Sequence, residues 1–130
     1  MPRLRILIAD DDDLIRQMVK NFLEQRPEWE VVGEATNGYE AVQKAAQLHP
    51  ELAILDISMP ELNGLDAARQ IRSTLPKTEM IALTMYDSPE MKREAFQIGI
   101  RSYILKARLV RDLAPAVEEA ARQNNNGNSH

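Results

Sequence analysis

Leu4-Arg5-Ile6-Leu7-Ile8-Ala9, followed at once by Asp10-Asp11-Asp12-Asp13, is the stretch on which the fold turns. An apolar run of this length with no helical spacing reads as a strand buried on both faces, the setting of a central strand in a parallel sheet. The aspartates mark the carboxyl end of that strand. Outward from it, the same unit of short apolar run and longer helix-spaced stretch recurs until there are five. Leu14, Met18, Phe22 and Leu23 give the first helix, which stops near Pro27. Val31 and Val32 give the second strand; Asn37-Gly38, which can also open a hairpin, is followed by the helical pattern Ala41, Val42, Ala45, Leu48. The third unit is Leu52 to Leu55, a loop with Pro60, and a helix facing inward through Leu65, Ala68 and Ile71. In the fourth, Met80 to Leu83 precede Ser88 as N-cap, Pro89 as first helical residue and Gly99 as C-terminal stop. Ser102 to Leu105 and a helix near Arg111 to Arg122 complete the pattern. The alternation predicts an α/β fold: one doubly wound sheet of five parallel strands with five helices.

Composition narrows the chemistry. At 130 residues and 44% hydrophobic content, one domain can bury a sizeable core. There is no cysteine, and His49 and His130 are the only histidines, which excludes disulfides, thiolate chemistry and a soft-metal site. The run from Leu4 to Ala9 is too short for a membrane span and lacks the pattern of a signal peptide, so a cytoplasmic protein without membrane contact is expected. A net charge of -4, with no basic stripe, argues against direct nucleic-acid binding by this segment. Residues 1–123 read as the domain. The polar, Asn-rich residues 124–130 read as a disordered tail or the start of a linker.

In an open parallel sheet, ligands bind beyond the carboxyl ends of the strands. Those ends carry Asp10 and Asp11, then the bland Ala35-Thr36, then Asp56, Thr84 and Lys106. Three carboxylates in one crevice repel one another unless a cation neutralises them. Mg²⁺ suits such a site, because it takes hard oxygen ligands and leaves positions for water or phosphate. A carboxylate beside that ion can attack phosphorus, and the Lys106 ammonium and Thr84 hydroxyl can then bind the oxygens of the acyl phosphate. Asp12 or Asp13 can cap the first helix.

Ile8-Ala9-Asp10-Asp11-Asp12, Leu55-Asp56-Ile57-Ser58-Met59-Pro60, Leu83-Thr84-Met85-Tyr86-Asp87 and Tyr103-Ile104-Leu105-Lys106 together resemble the response-regulator receiver domain of two-component signalling, over about residues 3 to 123. The resemblance implies a flavodoxin-like sheet in the order 2-1-3-4-5, with Asp56 as phosphoacceptor and Lys106 and Thr84 assisting. It implies Mg²⁺ held by Asp11, Asp56 and the Ser58 carbonyl, with Asp10 acting mainly through water. Thr84 and Tyr103 would form the switch that reshapes the face of helix four, strand five and helix five. A sensor histidine kinase or small phosphodonor would supply the phosphoryl group, and homodimerisation can accompany activation. Within the family, Ile6 to Asp11 and Leu83 to Asp87 look most like the LuxR or NarL subgroup, which implies a helix-turn-helix effector outside these residues.

Some features depart from the family pattern. Ala107 stands where many receivers have proline, which implies a less constrained loop and a less firmly aimed Lys106. Asp12 and Asp13 add charge that is expected to tighten Mg²⁺ binding, and the bulk of Met85 and Tyr86 is expected to shield the acyl phosphate from water. Taken alone, Tyr103 is simply a partly buried aromatic. Two other readings stand beside the receiver: a pseudo-receiver signalling by protein contacts without phosphate, and an aspartyl-phosphate phosphatase. The phosphatase would need a second acid where Ser58 stands. The receiver reading makes the chain a phosphoacceptor rather than an enzyme, with self-catalysed phosphorylation and dephosphorylation at most.

Overall fold

The computed structural model describes residues 3–58 and 63–128. Five parallel strands, β1 (Leu4–Ala9), β2 (Trp29–Ala35), β3 (Leu52–Asp56), β4 (Glu79–Thr84) and β5 (Ser102–Leu105), form one sheet in the order β2-β1-β3-β4-β5. Helices α1 (Asp13–Glu24), α2 (Gly38–Leu48), α3 (Gly64–Thr74), α4 (Pro89–Ile98) and α5 (Leu109–Asn128) connect and cover the strands. This is the expected doubly wound, flavodoxin-like arrangement.

Side-chain alternation along each strand divides the core in two. Ile6, Ile8, Leu52, Ile54, Ile81 and Leu83 face α1 and α5, packing on Val19, Leu23, Leu113 and Val117. The other face carries mostly smaller residues: Ala9, Ala35, Ala53 and Ala82, with Leu7, Leu55 and Met80, against Ala41, Ala45, Ala68, Ile71 and Ala95 of α2, α3 and α4. Small residues on both sides let three helices lie close to that face. Each large buried aliphatic contributes about 1.5–3 kcal/mol relative to an exposed one.

Four of the five helices, α1 to α4, begin at a capping side chain. Asp12 accepts from the N–H groups of Leu14 and Ile15, Asn37 from Glu40, Asn63 from Asp66 and Ser88 from Met91. Asp12, not Asp13, is therefore the cap of α1. Pro89 opens α4, and Gly99 closes it at φ 109°, a conformation that favours glycine.

Four local expectations differ from the structure. Phe22 and Leu23 face the core as expected, but Leu14 and Met18 are exposed and the residues turned inward in the first half of α1 are Ile15 and Val19. On β2, Val31 and Val32 are only half buried because the strand is at the sheet edge, and the β1 pairing skips from Val31 to Gly33. The helix after β5 begins earlier than expected, behind a 3-10 turn at Lys106–Arg108. Finally, α5 stays helical to Asn128, beyond residue 123, since a helix already docked through Leu113, Val117 and Ala120 can extend with polar residues. Met59 and Pro60 lie outside the described residues, as do Ser129 and His130. Among the described residues no helix is long and apolar enough to cross a membrane.

Candidate functional site

The carboxyl edge of β1, β3, β4 and β5 gathers the predicted residues into one place. Asp56 is the last residue of β3 and Thr84 the last of β4; Asp10 follows β1 and Lys106 follows β5. Asp10 and Asp56 are almost wholly buried, at 1% and 2% exposure, while Asp11 is exposed at the rim. Carboxylate oxygens of Asp10, Asp11 and Asp56 lie within 4.8 Å of one another.

The Asp56 carboxylate is fixed at both ends. Its Oδ1 accepts from the Ser58 N–H and the Ser58 hydroxyl, both at 3.0 Å, and its Oδ2 accepts from Lys106 Nζ at 3.3 Å. Burial pushes this carboxyl up, but the Ser58 N–H, the Lys106 charge and the Ser58 hydroxyl outweigh it and hold Asp56 below the ordinary carboxylate range. Asp56 is thus ionised while buried. Lys106 Nζ also lies 2.9 Å from Asp10 Oδ2, and these carboxylates hold it above the ordinary lysine value despite its burial. With Ala107 following it, Lys106 points at both carboxylates.

Asp10 is less well served. Its Oδ1 accepts from the Asp12 N–H at 2.8 Å. Its Oδ2 pairs with the Lys106 ammonium, whose pull opposes the effect of burial, but the contact lacks hydrogen-bond alignment and leaves this buried oxygen without a directed donor. Burial raises the Asp10 pKa, and Asp56 adds to the rise; burial and then Asp56 raise Asp11 as well. A buried carboxylate oxygen without a hydrogen bond, beside two more carboxylates, fits a hard cation. No zinc-type donor is present.

Asp12 and Asp13 stand apart from the acidic cluster. Asp12 caps α1, and Asp13 pairs with Arg16 at 2.6 Å. Thr84 is fully buried, and its hydroxyl oxygen accepts from the Tyr86 N–H at 3.1 Å. Tyr103 is half buried against the α4 side of the core, and its hydroxyl donates to the Tyr86 carbonyl at 2.6 Å. One peptide segment at Tyr86 therefore touches both residues. Met85 and Tyr86 are 73% and 57% exposed.

Two contributors were not read from the sequence. Gly64 begins α3 directly against the Asp56 turn: a Cβ there would sit 2.2 Å from the Asp56 carbonyl oxygen and 2.4 Å from Ile57 Cα. Arg16 donates to the Asp10 carbonyl. Its signal was its place one turn after Asp13, with a carboxylate, Glu34, inside the second strand.

A family model described as the response regulator receiver domain matches residues 6–118. The chain belongs to this family. Among relatives of this receiver domain, the response regulator protein VraR of Staphylococcus aureus is 34% identical over 119 residues, 92% of this chain and 57% of VraR. The receiver therefore spans a little over half of that curated relative. The signal receiver domain of the putative response regulator NarL from Mycobacterium tuberculosis superposes with a TM-score of 0.87 at 30% identity, covering 94% of this chain and 98% of that one. A LuxR-family DNA-binding response regulator from Staphylococcus aureus gives 0.84 at 25% identity, over 90% and 98%. These similarities place the receiver in the LuxR/NarL-like subgroup.

Proposed function

We propose that this receiver accepts a phosphoryl group on Asp56 in a Mg²⁺-dependent reaction and passes the event to an effector through its surface. The observation that carries the reading is a buried Asp56 carboxylate kept ionised by Ser58 and Lys106 beside the carboxylates of Asp10 and Asp11. Asp11, Asp56 and the Ser58 carbonyl would hold the ion directly, and Asp10 mainly through water. Bound there, Mg²⁺ supplies screening of the charge on the incoming phosphoryl group. Asp56 supplies the nucleophilic oxygen, held in place by its Ser58 hydrogen bonds. Lys106 neutralises charge on the phosphoryl oxygens, and Thr84 offers its hydroxyl to them by leaving the Tyr86 N–H.

Release of Tyr86 by Thr84 would free the segment to which the Tyr103 hydroxyl is tied, giving the two residues their switch role. The phosphodonor is a sensor histidine kinase or a small acyl phosphate. The effector is a helix-turn-helix domain outside these 130 residues, by likeness to LuxR-family regulators, and dimerisation can accompany activation. The site performs no turnover beyond its own phosphorylation and dephosphorylation, and its setting is the cytoplasm.

Beryllofluoride with Mg²⁺, followed by the amide spectrum, tests this reading. Shifts at Asp56, Thr84 and Tyr103 that require Mg²⁺ and vanish in Asp56→Asn are expected. A wild-type spectrum unchanged by saturating beryllofluoride would contradict it.

A further inference from the structure

Arg16 is engaged three times beside the acidic loop, yet the proposed phosphorylation gives it no step. It lies in the first turn of α1 with its side chain 15% exposed. Nη1 donates to the Asp10 carbonyl at 2.8 Å, Nε to Glu34 Oε1 on β2 at 3.0 Å, and Nη2 to Asp13 Oδ1 at 2.6 Å. The Asp10 N–H donates to the carbonyl of Ala35, the residue after Glu34, at 3.0 Å. Both backbone polar groups of Asp10 are therefore held from β2, one directly and one through Arg16. Glu34 is itself restrained, since Lys20 Nζ stands 3.5 Å from its carboxylate and Lys44 donates to its backbone carbonyl.

Charge and geometry make opposite demands here. A guanidinium near a cation site repels the incoming ion, so an Arg16 acting by its charge alone would weaken divalent binding. A guanidinium that locks the turn strengthens binding, because the carboxylates need not be ordered when the ion arrives. The planar fork serves Glu34, the Asp10 carbonyl and Asp13 from three separate nitrogens, a span that the three donors of an ammonium, all on one nitrogen, do not cover. Three partners at 3.0 Å or less favour the second role.

We propose that Arg16, anchored by Glu34, is a positioning residue for divalent-cation binding: it holds the Asp10 carbonyl so that the turn presents the Asp10 and Asp11 carboxylates to one ion. The inference rests on the reading that Asp10, Asp11 and Asp56 hold such an ion. Calorimetric titration with Mg²⁺, and Mn²⁺ titration followed by electron paramagnetic resonance, test it in wild type, Arg16→Ala, Arg16→Lys, Glu34→Gln and Lys20→Ala. Arg16→Ala is expected to weaken both ions about tenfold, with no rescue by Arg16→Lys, a smaller loss in Glu34→Gln and near wild-type affinity in Lys20→Ala. Equal or tighter binding in Arg16→Ala, or full rescue by lysine, would overturn the positioning role while leaving the metal site standing. No binding in wild type would instead remove the metal site and the role with it. Trp29 emission reports folding in each variant. Should Arg16→Ala not fold, wild-type affinity in both Arg16→Lys and Glu34→Gln would overturn the proposal.

Discussion

At the residue scale, the site is a balance between one carboxylate that is well bonded and two that are not. Asp56 lies below the ordinary carboxylate range, because Ser58 and Lys106 outweigh its burial, whereas burial first and Asp56 second raise Asp10 and Asp11. A raised carboxyl contributes stability that is present below its unfolded pKa and lost as pH rises through its folded pKa. Asp10 and Asp11 therefore lose that contribution as pH rises through their raised values, while the lowered Asp56 contributes stability above the ordinary carboxylate range and loses it as pH falls. Asp11→Asn removes one of the penalised charges. Its melting temperature without Mg²⁺ at pH 7 is expected to exceed wild type by about 1–2 °C, since Asp11 is exposed and solvent screening keeps the relieved repulsion to a fraction of 1 kcal/mol. The difference should close as pH falls below the carboxylate range, and Mg²⁺ should stabilise wild type but not the variant. A metal-free Asp11→Asn that melts at or below wild type would refute this charge balance.

At the scale of elements, α3 is the one whose start is pressed against the reactive turn. Gly64→Ala must displace the Asp56 carbonyl and Ile57 backbone, so it is expected to lower stability by about 1–3 kcal/mol and to weaken beryllofluoride binding. Gly33→Ala is the comparison: its Cβ meets no backbone, only the ends of the Leu48 side chain at 2.6 Å, which can rotate away, and of the Leu7 side chain at 3.4 Å. Urea unfolding midpoints and beryllofluoride titrations of the two variants check the contrast, and equal losses would contradict it. The strand-end residues Asp10, Asp56, Thr84 and Lys106 were legible in the sequence because an apolar run in a parallel sheet announces its own carboxyl end. Gly64 and Arg16 were not, because their roles are contacts between segments that only the folded chain brings together. The α1 stripe was misplaced for a related reason: Leu14 and Met18 share a helical spacing with the core residues, and only packing on α5 and the sheet shows that Ile15 and Val19 are the ones turned inward.

At the scale of the molecule, the doubly wound sheet separates packing from chemistry. Large aliphatics on one face and small residues on the other build a rigid platform, and the polar residues collect at a single edge where four strands end. The last helix was not legible to its end, since Asn-rich polar sequence carries no apolar stripe and yet continues α5 to Asn128. The chain covers 57% of VraR, so that relative is the longer protein. The centre of the proposal is narrower than that and sits on one side chain. Incubation with acetyl phosphate and Mg²⁺, followed by intact mass, reads it directly. One added phosphoryl group in wild type that is lost on metal chelation before the reaction, and absent from Asp56→Asn, is the expected result; the same adduct in Asp56→Asn, or none in wild type, would contradict phosphorylation at Asp56.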